Sequence, residues 1–78
     1  MKLTFNEQRE LTALPVELEA LEREQHALTE RMCAPDYHRQ SVETIKADRL
    51  RAQQIEHMLA AKFERWGQLD ARARVAEK

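Results

Sequence analysis

The stretch Cys33-Ala34-Pro35-Asp36-Tyr37-His38-Arg39-Gln40-Ser41-Val42-Glu43-Thr44 constrains this chain more than any other. Pro35 has no backbone N–H and pushes Ala34 out of the α region, so a helix arriving from the N-terminal side ends here. Ser41 is suited to cap a following helix, and Glu43 sets a negative charge near the positive end of that helix's dipole. Asp36 is placed to cap a single 3₁₀ turn in between. Only about eight residues lie between the helices, and a connection that short makes them antiparallel neighbours.

Seventy-eight residues with one Gly, two Pro and 35% charged side chains exclude loop-rich and linker compositions and point to long helices or coiled coil. A core of this size supplies about 3–5 kcal/mol, so marginal stability is expected. No apolar run approaches the ~20 residues of a membrane span, and the N-terminus has no apolar signal core. A single cysteine excludes an internal disulfide and fits a reducing compartment; a cytoplasmic location is expected.

The net charge of −1 is unevenly spread: residues 1–30 balance at −4, residues 31–51 at +2 and residues 52–78 at +1. The turn end is basic and the first arm acidic.

Thr4 followed by Glu7 is a capping-box pattern that starts a helix near Phe5. Leu11, Leu14, Leu18, Leu21, Gln25, Leu28 and Met32 then form a heptad seam. Pro15 predicts either a kink, or a break into a short helix of about 5–13 and a second one beginning at Pro15. The return helix is expected from Val42 to about Arg74, with a seam of Ile45, Ala52, Leu59, Trp66 and Ala73 and with Val42 and Phe63 in the alternate slots.

Folding at the turn sets Met32 opposite Ile45, Gln25 opposite Ala52, Leu18 opposite Leu59, Leu11 opposite Trp66 and Leu14 opposite Phe63. It brings Arg31 near Asp48 and Glu17 near Lys62, but also places Arg49 and Glu56 on the seam, so a weak middle is expected. The expected fold is all-α, an antiparallel two-helix coiled-coil hairpin with a short N-terminal helix packed on the overhanging return helix. Its parts are a capping segment (1–14), the hairpin (15–74, turn about 34–41) and a frayed tail (75–78). Leu3, Phe5 and Leu11 are expected to pack on Phe63, Trp66 and Leu69, and Gly67 to mark close packing.

No catalytic constellation appears, so this chain is not expected to be an enzyme by itself. Cys33, His38 and His26 offer three metal ligands without a fourth, a poor zinc site. Tyr37 either stacks on a nucleic-acid base or, the commoner arrangement, covers the open end of the seam. Arg39, Lys46, Arg49 and Arg51 gather at the turn end, and Arg51, Arg65 and Arg72 read as one outward line on the return helix. Such a line is often a solvated face; its functional reading is a phosphate-tracking stripe, with these six residues as candidate nucleic-acid contacts. Ala47, Leu50, Met58 and Ala61 form a thin outer apolar stripe.

Several stretches together resemble one family. Lys2-Leu3-Thr4-Phe5-Asn6-Glu7-Gln8-Arg9-Glu10-Leu11 with Leu14-Pro15, the turn Pro35-Asp36-Tyr37-His38-Arg39-Gln40, and Phe63-Glu64-Arg65-Trp66 with Leu69 occur in this order. Over residues 2–70 the chain resembles the C-terminal coiled-coil domain of the Uup-type ABC-F ATPases. It departs from them at Ser41-Val42-Glu43-Thr44, where the family often has Asp-Pro-Glu-Glu, and at Gly67-Gln68, where acids are common. The resemblance implies a soluble bacterial ATPase whose nucleotide-binding domains, with their ATP and magnesium, lie outside this chain. It implies DNA as the first partner, with RNA or the ribosome as alternatives, and no cofactor in this chain. The competing expectation is a protein-interaction or ribosome-contacting spacer arm of the same ATPase; the chain itself is expected to be a monomer.

Overall fold

A computed structural model of the chain describes residues 3–76. It is all-helical over that range: α1 spans Phe5–Met32, a 3₁₀ turn spans Tyr37–Arg39, and α2 spans Val42–Ala76. The molecule is a rod, 57 × 17 × 15 Å. Of the tail expected at 75–78, Val75 and Ala76 belong to α2, and residues 77–78 lie outside the described residues.

The ends form as the local chemistry dictates. Thr4 Oγ1 accepts from the Glu7 N–H at 3.1 Å while Glu7 Oε1 accepts from the Thr4 N–H at 3.0 Å, a complete capping box. At the other end of α1 the Cys33 N–H donates to Thr29 O at 3.0 Å and the Ala34 N–H to Arg31 O at 3.3 Å. The Tyr37 N–H then donates to Ala34 O, and the Gln40 N–H closes the 3₁₀ turn on Tyr37 O, both at 3.0 Å. The expected turn is present, but the Asp36 side chain makes no capping bond to it. Ser41 Oγ accepts from the Thr44 N–H at 3.1 Å and so caps α2.

Pro15 neither starts a helix nor ends one. α1 runs through it, so residues 5–14 continue the first arm and do not form a separate short helix. The proline side chain is exposed. Its missing N–H leaves Leu11 O without the usual partner, the familiar cost of proline inside a helix.

The seam of α1 is as expected, with Leu14, Leu18, Leu21 and Leu28 buried. On α2 one of the two seam slots differs. Ile45, Ala52, Leu59, Trp66 and Ala73 face inward to varying degrees, but the alternate slot runs through Asp48, Ile55, Lys62 and Leu69. Ile55 and Leu69 are fully buried, whereas Val42 and Phe63 remain 66% and 49% exposed. Arg49 and Glu56, expected on the seam, are exposed.

The reason is partner availability. Burying Arg49 and Glu56 would strand two charges, while the chosen slot buries two aliphatic side chains and meets its two charges with partners. Arg31 Nη2 donates to Asp48 Oδ1 at 2.5 Å, and Lys62 Nζ to Glu17 Oε1 at 3.3 Å. These are the two cross-helix pairs predicted from the register. The middle is therefore no weak point: Leu18, Leu21, Leu28, Ile55 and Leu59 form one cluster, with Met32 and Ala52 packed against it.

The N-terminal overlap is also built differently. Leu14 and Leu69 are its buried members, Leu3, Leu11 and Trp66 are half-buried, and Phe5 is 73% exposed. A Cβ placed on Gly67 would meet nothing within 4 Å, so close packing does not account for that glycine.

Candidate nucleic-acid interface

Three of the six predicted basic contacts share the tip of the hairpin. Arg39 ends the 3₁₀ turn, and Lys46 and Arg49 lie on the first turns of α2. All three are exposed, and among the described residues none forms an ion pair. A cation without an internal carboxylate keeps its charge available to an external anion.

The tip is held by a polar latch. Tyr37 Oη donates to Asp48 Oδ2 at 2.7 Å, while Arg31 bonds the other carboxylate oxygen. Asp48 is 93% buried (7% exposed) yet fully partnered. The Tyr37 hydroxyl and then the Arg31 guanidinium hold its carboxyl below the usual carboxylate range, against the effect of burial. Burial first, and then the bond to Asp48, push the Tyr37 phenol up. Half-buried Tyr37 is thus tied to the seam end through its hydroxyl, and its engagement with Asp48 competes with stacking on a base.

Arg51, Arg65 and Arg72 do not form an outward line. Each crosses to α1. Arg51 makes a bidentate pair with Glu24 at 2.5 and 2.7 Å, and Arg65 makes one with Glu10 at 2.7 and 3.1 Å. Arg72 bonds Glu7, whose carboxylate also lies 3.9 Å from Arg65. The carboxyls of Glu24 and Glu10 are held low by their arginine bonds. That of Glu7 is held low first by the Thr4 N–H and then by Arg72 and Arg65. These pairs leave the three arginines less available to phosphate than the tip cations.

Sequence reasoning found two rungs of this ladder, Arg31–Asp48 and Glu17–Lys62, and missed those made by Arg51, Arg65 and Arg72 although their signal was present. Glu10, Glu17, Glu24 and Arg31 recur every seven residues on one flank of α1, and each is matched by an opposite charge on α2. On α1 the ladder is a heptad flank; on α2 Arg51, Arg65 and Arg72 hold the flank beside the seam slot of Asp48 and Lys62, and neither side is an outer face.

The remaining reactive side chains are dispersed. Cys33 is exposed, and His26 Nε2 lies 3.1 Å from Glu30 on the outer face of α1. Among the described residues no group of three or more His, Cys, Asp or Glu is placed to hold a metal ion. No helix over the same range is long and apolar enough to cross a membrane.

An antiparallel hairpin, zipped by ions along one flank and carrying unpaired cations at its tip, defines a coiled-coil arm. The chain belongs to the ABC transporter C-terminal domain family, whose model matches residues 2–71. That assignment makes it the C-terminal domain of an ABC ATPase. No curated protein and no solved structure matches the chain.

Proposed function

We propose that this chain is the nucleic-acid-binding C-terminal arm of a Uup-type ABC-F ATPase and that it holds DNA by the backbone at its tip. The observation that carries this reading is the division among its cations: Arg39, Lys46 and Arg49 are exposed and unpaired among the described residues, whereas Arg51, Arg65 and Arg72 are engaged by carboxylates of α1. The arm performs no catalysis itself and needs no cofactor; ATP and magnesium belong to nucleotide-binding domains of a cytoplasmic bacterial parent. It acts as a monomer, because each helix spends its apolar seam on the other.

Three tip charges neutralise about three phosphates, so log affinity for duplex DNA should fall against log salt with a slope of roughly −3. Little sequence preference is expected, since phosphate contacts position a protein without reading bases. Titrating the chain with duplex DNA, single strands and structured RNA over a range of salt tests this. A salt-independent affinity, or none for any of the three, would reject the tip site. The rival reading is a protein-interaction or ribosome-contacting spacer, favoured by the 57 Å reach of a rod whose net charge is only −1.

A further inference from the structure

The two flanks of the hairpin are chemically unlike. One carries the ion ladder. The other has no cross-helix ion pair among the described residues, and along it runs an open groove lined by Pro15, Leu18, Glu19, Glu22, Phe63 and Trp66. A second depression shares Glu22 and Phe63 with the first and extends the groove to Gln25, His26, Thr29 and Leu59. Phe63 stands 49% exposed at its centre, in the middle of a helix where no described residue covers its outer half. From Pro15 to Thr29 the groove is about 20 Å long, the length of a helix of about four turns.

Its full charges are carboxylates, and the one imidazole in its lining, His26, is engaged by Glu30. Glu19 is bonded to Arg23 on the outer face, but Glu22 has no cationic partner among the described residues. Heptad spacing puts Glu56 on the same flank as Phe63, one repeat nearer the tip, and it too is exposed and unpaired among the described residues. Glu22 in the groove and Glu56 on the flank beyond Phe63 are left without a cationic partner among the described residues. Only towards the tip, at Arg49, does the flank change sign.

We propose that this groove is the docking site for a basic amphipathic helix of a partner protein, which completes a three-helix bundle with the hairpin. Its apolar stripe packs on Phe63, Trp66 and Leu18, and lysines or arginines beside that stripe answer Glu22 and Glu56. Helix-in-groove recognition takes affinity from the aromatic anchor and orientation from the flanking charges. The tip cations and the groove then bind different classes of partner. A polyanion is repelled from the groove by the same carboxylates that attract the helix.

The test uses the whole chain and a synthetic amphipathic peptide of about fifteen residues, long enough to fill the groove. It carries leucines at i, i+3, i+4 and i+7 with lysines on both sides of the stripe. A second peptide keeps the leucines and replaces the lysines with glutamates. Binding is read by anisotropy of labelled peptide and by amide shifts of the chain. The lysine peptide should bind, shift the amides of residues 15–29 and 59–66, and bind at least about tenfold tighter than the glutamate peptide. Phe63→Ala and the double change Glu22→Lys with Glu56→Lys should each weaken it by about tenfold or more. Circular dichroism should stay helical, since all three side chains are exposed; the charge pair carries the test alone if Phe63→Ala loses helix.

Equal affinity for both peptides, no binding of the lysine peptide, or unchanged affinity in the charge pair would overturn the proposal. So would a dimer of the free chain that Phe63→Ala dissolves, which would give the groove to a second copy. Shifts at 15–29 and 59–66 on adding duplex DNA would give it to nucleic acid.

Discussion

Asp48 and Gly67 show how single residues serve this hairpin in opposite ways. Asp48 stands in a seam slot where an aliphatic residue would pack, and it is tolerated because Tyr37 and Arg31 satisfy both its oxygens. Its folded pKa is depressed, as are those of Glu7, Glu10 and Glu24. The stabilisation these carboxylates give is therefore present above the unfolded-state values of about 4 and is lost as pH falls through the lower folded values. The thermal midpoint should drop as pH is taken from about 5 towards 2, and Asp48→Asn should flatten part of that drop. A midpoint that rises on acidification would refute the ladder. Gly67 has open space where a Cβ would stand and no positive φ, so it carries only the helix-propensity cost. Gly67→Ala should stabilise the chain by about 1 kcal/mol in a denaturant titration; destabilisation would contradict the open space at that position.

At the scale of elements, the local signals were legible and the tertiary choice was not. Thr4 with Glu7, Pro35 and Ser41 marked the helix ends because caps and prolines act within a few residues of themselves. The antiparallel register followed from turn length, and it brought out the Arg31–Asp48 and Glu17–Lys62 pairs. The slot on α2 was misread because Phe63 is large and apolar while Asp48 and Lys62 are charged. What decides between the slots is whether α1 offers partners at the matching level, and no pattern within α2 contains that. Of the two expectations at Pro15, the break fails for a related reason. Its local cost argues for a break, but the seam on both sides of it packs on one continuous helix. The seam assignment makes an order-of-effect prediction. Ile55→Ala should cost about 2–5 kcal/mol, as for a fully buried aliphatic, and half-exposed Phe63→Ala clearly less, both read by urea unfolding. The reverse order would restore the slot through Phe63.

For the whole molecule, charge is sorted by position. One flank is neutralised by the ladder, the opposite flank keeps its carboxylates, and the tip keeps its cations. Composition and spacing singled out six basic residues, of which three are unpaired at the tip among the described residues and three are paired to α1. They did not separate cations that hold the helices together from those left for an external anion, because both kinds recur at heptad-compatible spacing. The central claim is that separation. It is tested most directly by comparing two triple variants for duplex DNA affinity at low salt and for thermal stability. Arg39→Glu, Lys46→Glu and Arg49→Glu together should abolish binding and leave the melting midpoint close to that of the parent. Arg51→Gln, Arg65→Gln and Arg72→Gln together should lower the midpoint and, wherever the chain is still folded, keep a salt slope of roughly −3. Loss of binding in the folded second variant, with binding retained in the first, would contradict the account.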